Sequence, residues 1–385
     1  MSAQTATPTA PSQSLATGAI GTALMHIERA HTGQGSWEGA HNQVHKAAAT
    51  PVSAADEACL YFGAPALAFV LHTAQADGVP RYAAATERID SAVRRLAHRR
   101  LDLAHARIDS ARPAAFAEYD LLHGLTGIGA HLLHHDPTND ALGRILTYLV
   151  RLTCPLVIDA RRLPGWWVHH DPQRGTSAHF SGGHANLGIA HGITGPLALL
   201  AQAHLRQITV DGQGEAIELI CAWLDSWRRE NDTGTWWPQW VTSESLRNRR
   251  TDQSGPQRPS WCYGTPGLAR AQQLAALATA DTDRQRMAEQ AFADCLADPN
   301  QLARVHDPGL CHGWAGLAQA ANRAATDALT PAIAHHLPFL NDRLDQEQAD
   351  TEGFLDGQAG VTLAQMTAAQ GLPRVTGWDA CLLIN

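Results

Sequence analysis

Seven times along the chain a glycine-led stretch of small and apolar residues interrupts a more polar background. The stretches begin at Gly18 (GAIGTALMHI), Gly63 (GAPALAFVL), Gly124 (GLTGIGAHLL), Gly192 (GITGPLALLA), Gly264 (GTPGLARAQQL), Gly313 (GWAGLAQAA) and Gly357 (GQAGVTLAQM). Successive starts lie 45, 61, 68, 72, 49 and 44 residues apart, which leaves room for two helices per interval. The runs after the glycines are alanine-rich and apolar on every side, the pattern of a helix buried all round. Between them lie amphipathic stretches. In 139–154, Leu142, Ile145, Leu146, Leu149, Val150 and Leu152 recur at helical spacing behind an Asn139/Asp140 cap. In 215–227, Ile217, Ile220, Cys221 and Leu224 share one face. No run alternates convincingly with the period of a strand. Buried helices paired with one-faced helices, unevenly spaced, predict a closed α/α toroid; an open solenoid would have more regular repeats and polar caps. The expected architecture is all-α, with one toroid domain over 15–385 behind a disordered lead over 1–14. The second repeat departs from the pattern (GAPA), and the first lacks an obvious outer partner.

Composition narrows the function classes. At 385 residues the length alone suggests two or three domains, but the seven repeats run end to end. With 44% hydrophobic and 17% charged residues the chain can build a large core. Its net charge of −8 disfavours a nucleic-acid or anionic-membrane binder. No apolar run reaches membrane-spanning length. The Ala/Thr/Ser/Pro/Gln start is no secretory signal, so a cytoplasmic location is expected. Seven scattered cysteines, an odd number, point to reduced thiols rather than a disulfide framework. The 21 histidines ask for a chemical role.

The repeats differ most just before each glycine. His123 and Asp120 stand there in YDLLHG, His191 in NLGIAHG, Cys262 and Tyr263 in WCYG, and Cys311 and His312 in CHG. Rotation about a ring axis would gather these side chains at one mouth, where helix N-termini also favour ligands. Cys262, Cys311 and His312 form a three-ligand set with an open fourth position, as in a catalytic zinc site. The 49 residues between the cysteines match no generic zinc spacing, so two small buried thiols are the plain alternative. His191 is a candidate proton-transfer group or a core histidine. Asp120 suits an imidazole partner or a helix cap. Arg258 suits an oxyanion or carboxylate, or the open surface. The histidine-bearing loop with His169, His170, His179 and His184 offers mainly loop polar groups, with His179 and His184 as neighbours of the site. Trp223, Trp227, Trp236, Trp237 and Trp240 suit buried outer-helix contacts better than a peptide groove. The acidic run 342–352 reads as a solvated face.

GHANLGIAHGITGPLALL, WCYGTPGLA, CHGWAGLA and FLDGQAGVTLA, in this order, resemble the lanthionine synthetase C-like family, the lanthipeptide cyclases. The resemblance is strongest over 119–363. It implies a double ring of seven inner and seven outer helices. It also implies one zinc ion per chain on Cys262, Cys311 and His312, and addition of a peptide cysteine thiolate to dehydroalanine or dehydrobutyrine, closing a thioether ring. His191 would be the acid that protonates the enolate; Asp120, Arg258 and Tyr263 fall at positions counted as active-site groups. A stand-alone cyclase implies a dehydrated precursor peptide with leader and core as substrate, a separate dehydratase, and a transporter in a membrane-associated biosynthetic complex. The alternative within the family is a non-catalytic or glutathione- and thiol-adduct-binding member. Outside it, a protein prenyltransferase β-subunit is disfavoured by the 6% aromatic content, and a bare scaffold would not require polar repeat starts.

Overall fold

A computed structural model of the chain describes residues 12–158, 160–372 and 375–385. Seven inner helices run in chain order: α1 (Ala19–His31), α3 (Ala64–Ala74), α5 (Leu125–His135), α7 (Thr194–Leu205), α9 (Thr265–Thr279), α11 (Trp314–Asp327) and α13 (Gln358–Gln370). Each packs on the next, and α13 packs back on α1, so the ring closes. Six outer helices alternate with them: α2 (Trp37–Ala47), α4 (Ala83–Asp109), α6 (Asp140–Leu152), α8 (Gln213–Trp227), α10 (Thr282–Ala297) and α12 (Leu337–Asp345). The double ring is therefore present, but among the described residues it has six outer helices where seven were expected, because the seventh inner helix is followed by the 3-10 turn Trp378–Leu382. The outer helix that the first repeat seemed to lack is α2. Its short apolar face of Ala40, Val44 and Ala47 is what made it hard to read.

The helices form for the reasons the pattern gave. Residues Thr194 to Ala203 of α7 are all buried, as an inner position demands. In α6, Leu142, Ile145, Leu146, Leu149 and Leu152 are buried on one face, and Asn139 caps it by accepting the Ala141 N–H. Strand content is small. Leu156–Ile158 (β1) pairs with Arg161–Leu163 (β2), His184–Asn186 (β3) with Trp240–Thr242 (β6), and Arg229–Asn231 (β4) with Gly234–Trp236 (β5), all antiparallel. The β3–β6 pair ties together the two long connections, those before α7 and α9.

The second glycine of each G-x-x-G has a steric reason to be there. A Cβ on Gly267 would lie 1.9 Å from the Trp261 carbonyl oxygen, and one on Gly316 1.9 Å from that of Leu310. The preceding loop folds hard onto the first turn of the helix at these points. Ala66 takes this place in the second repeat, where Gly63 instead adopts φ +76°, a conformation open to glycine. The one-off turn explains the GAPA departure.

Of the lead expected over 1–14, residues 1–11 lie outside the described residues. The remainder belongs to the ring. Gln13 is buried, its amide donates to Pro51 O and accepts the Ser53 N–H, and Ser14 bridges to Phe62.

The chain end was not anticipated. A 3-10 turn, Trp378–Leu382, is buried and enters the ring. Tyr61 Oη donates to Cys381 O (2.9 Å), Trp261 Nε1 to Leu382 O (2.9 Å) and Arg270 Nε to Ile384 O (2.8 Å). Asp379, fully buried, accepts from Gln319 (2.7 Å) and twice from Arg323 (2.7 and 2.6 Å) of α11. This segment plugs the ring beneath the loops that start the inner helices.

Candidate active site

Backbone hydrogen bonds lace the repeat starts together around one mouth. The N–H of Leu121 donates to Ala190 O (3.2 Å), Ala190 to Cys262 O (3.4 Å), Cys262 to Cys311 O (3.2 Å), Cys311 to Leu355 O (2.9 Å), Leu355 to Ala16 O (3.0 Å) and Leu15 to Tyr61 O (3.0 Å). The step between the second and third repeats is bridged by a side chain. Arg100 of α4 donates to Ala58 O (3.0 Å), to His123 O (2.7 Å) and to Ala117 O. Residues far apart in sequence thus share one height, because six of the seven steps use the same backbone edge and Arg100 spans the remaining one.

On this rim Cys262, Cys311 and His312 converge, with one ligand atom from each within 4.8 Å of the other two. Contact with Cys311 and His312 holds the Cys262 thiol well below the usual thiol range, and the same contact holds Cys311 above it. Its contact with Cys262 raises His312. Such a set shares protons among closely packed donors, which is how metal ligands behave before a cation displaces the protons. Carboxylates flank the imidazole on both sides, Asp307 at 3.6 Å from Nε2 and Asp356 at 3.9 Å from Nδ1. Whichever nitrogen turns to the thiols, the other faces a carboxylate, the usual partner of a metal-bound histidine.

Next along the rim, Asp120 is fully buried and uses its two oxygens differently. Oδ1 accepts the N–H groups of His123 (2.6 Å) and Gly124 (2.9 Å), fixing the turn that leads into α5. Oδ2 lies 2.6 Å from His191 Nδ1. Of the two readings of this aspartate, the imidazole partner is seen; in place of a helix cap, it ties down the turn just ahead of α5. Burial opposes its charge, but the hydrogen bonds from His123 and His191 outweigh it and hold the carboxyl at about 2. His191 is sandwiched between Phe116 (5.4 Å between ring centres) and His123 (5.5 Å), with Tyr263 at 6.1 Å. Tyr263 Oη accepts from Asn186 Nδ2 at 3.1 Å, and burial pushes the phenol up.

All seven candidates therefore lie at one mouth. Arg258 holds a carboxylate of the chain itself: its guanidinium donates to Asp307 (2.9 Å), which also flanks His312. Of the loop histidines, His184 is a neighbour through Phe116 (5.6 Å), whereas His179 pairs with Asp252 (3.1 Å) near the surface. Trp227, Trp236 and Trp237 are buried, as outer-helix contacts should be. Four more residues join the site without having been expected: Asp356, Asp307, Asn186 and Ser260, whose Oγ accepts from the Cys262 thiol (3.7 Å) and the Tyr263 N–H (3.3 Å). Asp356 had a signal, since it stands directly before Gly357, the position held by His191 and His312 in their repeats.

Comparison with known proteins gives three findings. The family described as lanthionine synthetase C-like protein matches residues 10–383. The nisin biosynthesis protein NisC of Lactococcus lactis subsp. lactis is 22% identical over 277 residues, 69% of this chain. That match spans 64% of the relative's own length, under two thirds. A solved nisin cyclase structure shares the fold, with a TM-score of 0.83 at 20% identity, covering 97% of this chain and 92% of that one.

Proposed function

This chain belongs to the lanthionine synthetase C-like family, and from that membership and the rim geometry we propose that it is a zinc-dependent lanthipeptide cyclase. The observation that carries the proposal is the meeting of Cys262, Cys311 and His312 on the same rim as a buried Asp120–His191 pair. The donor set fits the metal. Two thiolates and an imidazole are zinc ligands, two negative charges match the dication, and three protein ligands leave a fourth position open. Zinc held there would lower the pKa of a substrate thiol, supplying thiolate near neutral pH.

The remaining work falls to the chain's own groups. Asp120 accepts from His191 Nδ1, which leaves Nε2 as the exchanging nitrogen. Neutral Nε2 takes the proton of the peptide thiol. The sulfur electron pair forms the C–S bond to the β-carbon of the dehydroamino acid, and the C=C π pair moves to the α-carbon and its carbonyl as an enolate. Protonated Nε2 then returns the proton to the α-carbon. An S–H and a C=C π bond are lost, a C–S and a C–H bond are gained, and mass is conserved. Arg258, Tyr263 and Asn186 supply polar contacts for the peptide and the developing charge.

The substrate class is a dehydrated precursor peptide, leader plus core. A separate dehydratase must supply it and a transporter take it onward, which suits a cytoplasmic enzyme. No helix among the described residues is long and apolar enough to cross a membrane. The test is alkylation. A peptide carrying one dehydroalanine and one cysteine is incubated with the zinc-loaded protein, then treated with a thiol-alkylating reagent. Loss of the alkylated product at unchanged peptide mass supports the proposal. Persistent alkylation overturns it in favour of thiol binding without turnover.

A further inference from the structure

We propose a second metal site, an imidazole–carboxylate site for a divalent ion of the zinc, cobalt and nickel class, formed by His72, Asp90 and His131. One ligand atom from each lies within 4.8 Å of the other two. His72 stands in the last turn of α3, Asp90 on the outer helix α4, and His131 in the second half of α5. Inner helices start at the mouth, so the six residues from Leu125, where α5 begins, to His131 separate this cluster from the rim by about 9 Å along the axis. It shares no residue with the candidate active site.

Two features ask for a ligand here. His131 is 1% exposed, and its Nδ1 is buried without a hydrogen-bond partner; the neighbouring His135 Nε2 is likewise buried and unpartnered. An orphaned polar atom costs about 1–3 kcal/mol, and two in one cluster are unusual without something to bind. The imidazoles are also gathered: ring centres of His72 and His131 are 5.6 Å apart, and His135 lies 5.1 Å from His72 and 5.4 Å from His131. The cluster borders a cleft of about 790 Å³ between α3 and α4, whose wall includes His72, Asp90 and His135. The side chains of His72 and Asp90 are 22% and 28% exposed, so an ion has a path in.

At present His72 Nε2 bonds both Asp90 oxygens, at 2.9 and 3.0 Å. Ligands about 2.1 Å from a tetrahedral ion stand about 3.4 Å from one another, so modest side-chain rotation converts this ion pair into a coordination set. Two imidazoles and one carboxylate suit borderline ions; calcium and magnesium prefer all-oxygen sets. With no sulfur in the cluster, its bound cobalt will lack the thiolate charge-transfer absorption expected of the rim site.

That difference is the test. Untagged protein carrying Cys262→Ser and Cys311→Ser is titrated with Co²⁺ and followed by absorption and metal analysis. The expected result is one bound cobalt per chain, showing ligand-field bands without thiolate bands. Adding Asp90→Asn or His72→Ala, at partly exposed positions, should weaken that binding at least about tenfold. Should the serine variant fail to fold, the wild-type chain serves. Thiolate bands should then saturate after one equivalent while a second, thiolate-free equivalent binds, and Asp90→Asn should remove only the second. No binding beyond the thiolate site, or binding indifferent to both His72→Ala and Asp90→Asn, overturns the proposal. The readout is independent of cyclase activity.

Discussion

Asp120 spends one oxygen on the start of α5 and the other on His191. Its role in the fold and its role in the chemistry can therefore be separated by experiment. His191→Ala leaves the Asp120 bonds to the turn before α5 and the thiol ligands untouched. It should retain thiolate-bound metal while cyclisation slows about 10²–10⁴-fold, the usual worth of a positioned acid–base group. Metal loss together with activity would remove the proton-transfer role. Asp120 also carries a pH signature. Its carboxyl is held at about 2, below the value near 4 of an unfolded aspartate. The stability it contributes is fully present above about pH 4 and is lost as pH falls through 2. Urea unfolding measured between pH 5 and 2 should therefore show a shallower acid decline in Asp120→Asn than in wild type. Equal slopes would deny the buried charge its role.

At the level of the elements, the glycine pattern was legible because its cause is local. Each helix start needs a residue without a side chain against the loop that precedes it, and that need repeats with the fold. Gly267→Ala forces a Cβ onto the Trp261 carbonyl oxygen and should cost about 1–3 kcal/mol or more. Gly143, inside the outer helix α6, has nothing within 4 Å of the added carbon. Gly143→Ala should be neutral or stabilise by up to about 1 kcal/mol. Similar losses from both, measured by chemical denaturation, would show that the glycines serve something other than close approach. The same register made Cys262, His191 and His312 readable, and it would have yielded Asp356 had it been followed into the seventh repeat. Ser260 and Asp307 also stand at repeated places, four and six residues before their glycines as Asp120 and Asn186 do, but the residue type changes from repeat to repeat there, so only the folded contacts show what each does. His72 and His131 escaped too. Fifty-nine residues separate them, with no shared motif, and only the packing of α3 on α5 brings them together.

The molecule as a whole is a ring held at three levels: helix against helix, repeat start against repeat start, and the chain end in the middle. WDACLLIN reads in sequence as a short apolar tail, and nothing in its composition announces a plug. Its burial depends on polar bonds to helices of several repeats. Asp379→Ala would leave Arg323 and Gln319 without their buried acceptor and should destabilise the ring by about 3–5 kcal/mol. An unchanged denaturation midpoint would mean that the plug is not part of the stability of the ring. Beneath the rim, the plug accepts from Trp261, the residue next to Cys262, so it also supports the floor of the site. The central claim is that this rim turns over thiols into thioethers. Its most direct test is multiple-turnover cyclisation in D₂O of a peptide carrying one cysteine and one dehydroalanine. Catalytic amounts of zinc-loaded wild-type protein should consume the free thiol well above the background rate, with one deuterium gained per ring at the α-carbon, while Cys262→Ala stays at background. Wild-type protein no faster than background, or Cys262→Ala as fast as wild type, would contradict the account.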